Sequence, residues 1–162
     1  MGSGKLREVV RLVVSIVVCQ LAGGIGAIFT SASIPTWYAS LNKPVFNPPN
    51  AVFFPVWTTL YTLMGIAAFL VWRKGLHERP VRVALGIFAI QLVLNTAWTI
   101  IFFGLQSLFV ALIAIALLWV AILVSIVTFW RISKAAGALL IPYILWVSFA
   151  SLLNYSVWVL NR

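Results

Sequence analysis

Five long apolar runs dominate this sequence: about Val9 to Thr30, Val52 to Trp72, Val83 to Phe103, Leu108 to Trp130 and Ala135 to Leu160. A helix needs roughly 20 apolar residues to cross a hydrocarbon core about 30 Å thick, so each run is long enough for one crossing. Of the 162 residues 64% are hydrophobic and 8% charged, too few polar side chains to cover a water-soluble globule. The sequence therefore predicts an all-α integral membrane protein, a five-transmembrane-helix bundle forming one domain over residues 1–162. Its helices are expected over 9–30, 52–72, 83–103, 108–130 and 135–160, and a single long loop over 31–51.

The first run follows Lys5, Arg7 and Arg11 and ends near Ser31, Ala32 and Ser33, which imitates a signal peptide with a small-residue cleavage site. It is longer than a typical signal core, and Gly23, Gly24 and Gly26 read instead as a close helix contact in a retained span. In the loop, Pro35, Pro44, Pro48 and Pro49 block a continuous helix. Pro142 falls within the fifth run, where it is expected to kink the helix. Five crossings place Lys5, Arg7, Arg11, Arg73, Lys74, Arg79, Arg82, Arg131 and Lys134 on one side, and only Lys43 and Arg162 on the other. Basic flanks are retained in the cytoplasm, so the amino terminus is expected inside, with the proline-rich loop and carboxyl terminus outside. Trp72, Trp130 and Trp158, near helix ends, read as interfacial belt residues.

The charge pattern excludes several functions. A net charge of +9 suggests nucleic acid, but the basic residues cap apolar runs rather than forming a patch, so no nucleic-acid partner is expected. The two acidic residues, Glu8 and Glu78, lie outside the spans, which disfavours an ion-coupled pump, since such pumps keep an ionisable group within the membrane. Cys19 is alone in an apolar run and His77 alone in a basic loop, so no metal site is expected. No carboxylate pair or nucleophile–base set is present for general acid–base or covalent catalysis, and no cofactor is required.

Uncharged polar and aromatic residues remain. The topology brings Trp57, Thr58 and Tyr61 of the second span, Asn95 and Trp98 of the third, and Trp146, Ser151 and Asn154 of the fifth to the side of the proline-rich loop. Trp57 with Tyr61, Asn95 with Trp98, and Trp146 with Ala150 and Asn154 each share a helix face. An apolar hollow lined by flat rings and a few hydrogen-bonding groups suits a planar hydrophobic ligand, with the loop closing over it. The alternative is that Asn95 and Asn154 bond across helices while the tryptophans fill the core, each such bond contributing about 0.6 kcal/mol. Gln20 and Gln91 read as interhelical bonders. Trp119, with no polar partner at i±3 or i±4, reads as packing or lipid-facing.

Ordered blocks carry a resemblance: Trp37-Tyr38, Leu41, Lys43-Pro44, Asn47-Pro48-Pro49, Phe53, Val56-Trp57-Thr58, Leu60-Tyr61, Met64-Gly65, then Asn95, Trp98, Phe102-Phe103-Gly104, Pro142-Tyr143, Trp146, Phe149-Ala150 and Leu153-Asn154. Together they resemble the translocator protein family, also called tryptophan-rich sensory proteins or peripheral-type benzodiazepine receptors. The resemblance implies a five-helix bundle, commonly a homodimer, and the expected location is a bacterial inner (plasma) membrane. It implies binding of porphyrins such as protoporphyrin IX and haem as ligands rather than cofactors, of hydrophobic drug-like molecules of the benzodiazepine type and, in animal members, of a sterol.

By motif the ligand-binding positions would be Tyr38, Pro48, Trp57, Tyr61, Asn95, Trp98, Trp146 and Ala150. Some bacterial relatives promote light- and oxygen-dependent porphyrin breakdown, which would assign Trp57 and Trp146 any catalytic part; uncoupled transport of porphyrin or sterol is the other alternative to a sensor or regulator of tetrapyrrole levels. Two departures stand out. Phe46 occupies a position where many members carry tryptophan. The sterol pattern of Leu153, Tyr155 and Arg162 has one residue too many before its basic end, so sterol transport is not expected. Gly23, Gly24, Ala84 and Gly86 are small enough to serve as close-contact points in a dimer.

Overall fold

The computed structural model of the chain describes residues 2–162 and is helical throughout, apart from short turns. The elements are α1 (Ser3–Ser33), α2 (Trp37–Ser40), α3 (Asn50–Trp72), α4 (Arg79–Thr99, continued by a π-helical turn over Ile100–Gly104), α5 (Leu108–Ile132), α6 (Lys134–Leu139) and α7 (Ile141–Leu160). Among the described residues five helical stretches are long and apolar enough to cross a membrane, the fifth formed by α6 and α7 together. The protein is an integral membrane protein. α1 extends beyond the apolar run at both ends, and the proline-rich loop holds one short helical turn, α2, which its prolines flank without interrupting.

Two turns have specific backbone causes. Gly75, between α3 and α4, has φ +111°, a conformation that L side chains rarely adopt, and a Cβ there would meet the His77 ring. Gln106, between α4 and α5, sits at φ 55° in the left-handed region. The fifth span is interrupted rather than merely kinked. Pro142 has no N–H to donate to Ala138, and its ring excludes that carbonyl, so α6 ends at Leu139 and the helix restarts as α7 with Pro142 in its first turn. The Ser133 side chain caps α6 by accepting from the Ala136 N–H.

Small residues set how closely the helices approach. A Cβ on Gly65 would overlap the backbone of Ile16, so α3 lies directly on α1 at that level. α4 packs on α5 through buried Ala84, Ala111 and the stacked rings of Phe88 and Phe129, 5.3 Å apart. Of the residues small enough for a dimer contact, Gly23 faces the Tyr61 ring and Ala84 is buried, so both are taken up within the chain; Gly24 faces open space, and Gly86 is exposed.

At the basic end of the bundle Glu8 pairs with Arg11 and Arg73, each at 3.4 Å, and the Arg11 guanidinium lies 5.8 Å from the Trp72 ring centroid. At the other end Arg162 lies over Trp158 at 5.5 Å. Both tryptophans thus sit where a span meets its charged flank, the position of interfacial anchors.

Candidate ligand-binding cavity

A cavity of about 380 Å³ lies between α1, α3, α4 and α7 at the loop end of the bundle. Nine aromatic rings contribute to its walls: Tyr38 from α2, Phe53, Phe54, Trp57 and Tyr61 from α3, Trp98, Phe102 and Phe103 from α4 and its π turn, and Trp146 from α7. Trp57 stacks on Tyr61 (5.7 Å, 29°), as their one-turn spacing requires, and lies 6.2 Å from Trp98, which in turn is 5.9 Å from Phe102. Trp146 lies edge-on to Phe53 at 6.2 Å. Among the described residues, no charged one lines the cavity.

Of the eight positions taken from the family pattern, Tyr38, Trp57, Tyr61, Trp98, Trp146 and Ala150 line this cavity, and Pro48 and Asn95 do not. Pro48 is half-buried in the loop, its carbonyl accepting from the Asn47 amide at 3.2 Å. Asn95 is fully buried behind the wall. Its Oδ1 accepts from the Tyr61 hydroxyl, its Nδ2 donates to the Tyr143 hydroxyl at 2.8 Å, and Tyr143 donates to Gln91 Oε1 at 2.9 Å. This network joins α3, α4 and α7 and fixes the hydroxyl end of Tyr61, so Asn95 shapes the cavity from outside it.

Asn154 does both jobs. It lines the cavity, accepts from Trp98 Nε1 at 3.2 Å and donates to the Leu108 carbonyl at 3.0 Å, which fixes the plane of the Trp98 indole. Gln20 donates to the Thr58 carbonyl and the Thr62 hydroxyl, both at 3.0 Å, tying α1 to α3. Trp119 does have a polar partner: its Nε1 donates to Ser148 Oγ on α7 at 2.8 Å. Among the described residues, the buried side-chain nitrogen without a hydrogen-bond partner is Trp146 Nε1. A buried N–H left unmade costs about 1–3 kcal/mol, and on a cavity wall this one is free to donate to whatever the cavity holds.

Sequence reasoning did not assign α1 a share of the cavity, yet Gly23, Gly24, Gly26, Ala27 and Thr30 of α1, with Ile34 just beyond it, all line it. The signal was the glycine cluster: Cβ atoms at Gly23 and Gly26 would collide with Tyr61 and crowd Thr99, respectively. The π turn is the second unforeseen feature. Its wider coil frees backbone carbonyls, and the Phe103 carbonyl is taken up by the Ser33 hydroxyl at the end of α1. That places Phe102 and Phe103 side by side against Tyr38.

The loop roofs the cavity through a few fixed points. The Tyr38 hydroxyl donates to Asn47 Oδ1 at 2.8 Å, and Lys43 Nζ lies 4.9 Å from the Tyr38 ring centroid while donating to the Leu41 carbonyl at 3.1 Å. Burial pushes the Tyr38 phenol up to about 12. Phe46 packs edge-on against Phe149 at 6.3 Å and does not line the cavity.

Comparison with known proteins agrees with these motifs. The model of the TspO/MBR family matches residues 15–159. The chain is 42% identical to the tryptophan-rich protein TspO of Chlorobaculum tepidum over 155 residues, 96% of this chain and 98% of that one. It is 41% identical to the human translocator protein over 136 residues, covering 83% of this chain and 80% of that one, and 38% identical to the tryptophan-rich sensory protein of Cereibacter sphaeroides over 77% of each. A match that takes in all five spans and the loop between the first two leaves one assignment: the chain belongs to the TspO/MBR family of integral membrane proteins.

Proposed function

We propose that the cavity binds planar tetrapyrroles, protoporphyrin IX and haem among them, and that the protein acts as a sensor or regulator of their level in a bacterial inner membrane. The observation that carries this reading is the wall itself: three indoles, two phenols and several phenyl rings around an uncharged hollow of about 380 Å³. Flat π-faces at fixed tilts favour a flat apolar body, and an uncharged lining leaves any charged edge of that body to be solvated at the open side of the cavity. The nine-to-two distribution of basic residues supports an orientation with the amino terminus in the cytoplasm and the cavity toward the outer leaflet. Drug-like molecules of similar flatness and a second copy of the chain are the further partners this reading includes. The test is titration with protoporphyrin IX in lipid nanodiscs, following tryptophan fluorescence. Saturable quenching is expected, and the double variant Trp57→Ala with Trp146→Ala should weaken it at least about tenfold, a loss of about 1.4 kcal/mol. Binding unchanged by that double substitution refutes the site.

The unpartnered Trp146 Nε1 and the chain of close rings from Trp57 to Trp98 also favour a second reading, in which light-excited porphyrin is degraded with oxygen and the indoles supply electrons. With no acid or base in the cavity, the reactivity would come from the pigment. That reading expects light-dependent loss of the Soret band with a defined product; a Trp146→Phe variant as fast as wild type would count against it.

A further inference from the structure

The cavity has a side opening. Six of its lining residues are exposed on the outer surface of the bundle, and all six belong to α1 or α3: Gly24, Ala27 and Ser31 on one, Asn50, Phe54 and Thr58 on the other. None of the lining residues from α2, α4 or α7 is exposed. The cause lies in where α1 is fastened. Up to the cavity floor it is held to α3, by Gly65 on Ile16, by Gln20 on Thr58 and Thr62, and by Gly23 on Tyr61. It touches α4 at that level too, where the Thr96 hydroxyl donates to the Ala22 carbonyl at 3.2 Å, and beyond the floor its fastening points are on α4 and its π turn alone, through Gly26 at Thr99, Phe29 at Gly104 and Ser33 at the Phe103 carbonyl. The result is a wedge between α1 and α3 that a Cβ on Gly24 would enter without meeting anything within 4 Å.

The roof is fastened, by contrast. The Asn42 N–H donates to Asn161 Oδ1 at 3.0 Å and Asn161 Nδ2 donates back to the Asn42 carbonyl at 2.9 Å, joining the loop to the end of α7. The Tyr38–Asn47 bond and the Lys43 contacts hold the loop's inner side.

We propose that the wedge is a lateral portal through which the cavity exchanges its ligand with the loop-side leaflet, admitting planar amphiphiles already dissolved in lipid. The proposal rests on the tetrapyrrole reading. The deeper rim, at Gly24, Ala27, Phe54 and Thr58, lies within the membrane-spanning lengths of α1 and α3, so it faces acyl chains, and a hydrophobic ligand is far more concentrated there than in water. Ser31 and Asn50 mark the rim nearest the loop, whereas Trp57 and Tyr61 lie deeper. The ligand therefore enters with its apolar edge leading and leaves its polar edge beside Ser31 and Asn50, at headgroup level.

The experiment mixes protein in nanodiscs with vesicles preloaded with protoporphyrin IX and reads association and dissociation by stopped-flow fluorescence. Gly24→Leu and Ala27→Phe, which fill the wedge, should slow both directions together by about tenfold, equivalent to about 1.4 kcal/mol on the barrier. A lost binding contact would instead speed dissociation. Asn161→Ala, which unfastens the roof, should exchange at the wild-type rate. The portal is overturned if the wedge variants exchange like wild type, or if Asn161→Ala alone accelerates exchange. Gly24→Leu carries the comparison should Ala27→Phe fail to fold. Binding to wild type with unaltered rates in the wedge variants sinks the portal alone, whereas no binding to wild type sinks the tetrapyrrole reading and the portal with it.

Discussion

Replacing Asn95 with alanine separates the two roles that a polar residue in a bundle can play. Asn95 is fully buried, accepts from Tyr61, donates to Tyr143 and lies outside the cavity lining. Interhelical hydrogen bonds in membrane proteins average about 0.6 kcal/mol and reach about 1.7, so losing two costs about 1–3 kcal/mol. Most of that loss falls on Tyr61, whose hydroxyl is left without its acceptor; Tyr143 keeps its bond to Gln91. For a chain of this size about 2 kcal/mol corresponds to a fall of about 4–8 °C in the unfolding midpoint, measurable in nanodiscs by near-ultraviolet circular dichroism. Affinity for protoporphyrin IX should change by less than about threefold, under about 0.7 kcal/mol, because the removed atoms do not face the ligand. An unchanged midpoint combined with a tenfold loss of affinity would refute this reasoning and put the Asn95 amide in the cavity.

Three other outcomes are expected. Gly65→Leu forces a side chain into the Ile16 backbone, which cannot yield as a flexible side chain can, so α1 must separate from α3; a loss of more than about 2 kcal/mol in denaturation assays is expected, and wild-type stability would contradict the packing. Trp119→Phe removes only the indole bond to Ser148 and should cost about 0.6 kcal/mol, with no further loss when Ser148→Ala is added; additive losses in that double-mutant cycle would mean the pair does not interact. For the loop, the Tyr38 phenol is raised to about 12, above its usual value near 10, so its neutral form is the one the fold favours. Its contribution is fully present below about pH 10 and lost as pH rises through about 12. Hydrogen exchange at residues 42–47 should therefore show no pH-linked loosening, beyond the intrinsic rate, between pH 6 and 9.

What the sequence revealed and what it hid divide along physical lines. The five spans were legible because the hydrocarbon thickness fixes a minimum apolar length, and no other structure satisfies such a run. The Trp57–Tyr61 pair was legible because helical spacing alone puts one ring over the other. Depth and face, however, do not give partners. Asn95 and Trp98 share a face, yet Asn95 turns to Tyr61 and Tyr143 behind the wall while Trp98 fills the wall itself. Trp119 lacked a partner within its own helix, and its partner, Ser148, belongs to another helix that spacing rules cannot see. The glycines of α1 announced a close contact without saying with what; three-dimensional packing supplied Tyr61 and Thr99. The carbonyl of Phe103 in the π turn is met by Ser33 of α1, a relation between residues 70 positions apart that no local pattern encodes.

The central claim is that one uncharged hollow, walled by Trp57, Trp98 and Trp146, receives a flat pigment. A structure of the protein with protoporphyrin IX bound tests it most directly. The macrocycle is expected in van der Waals contact with the Trp57 and Trp146 indoles, with an acceptor on the ligand within hydrogen-bonding distance of Trp146 Nε1 and the polar edge beside Ser31 and Asn50. A pigment found instead in the shallow groove where Leu21 and Ile25 of α1 meet Val93 and Ala97 of α4, with the hollow unchanged, would contradict it.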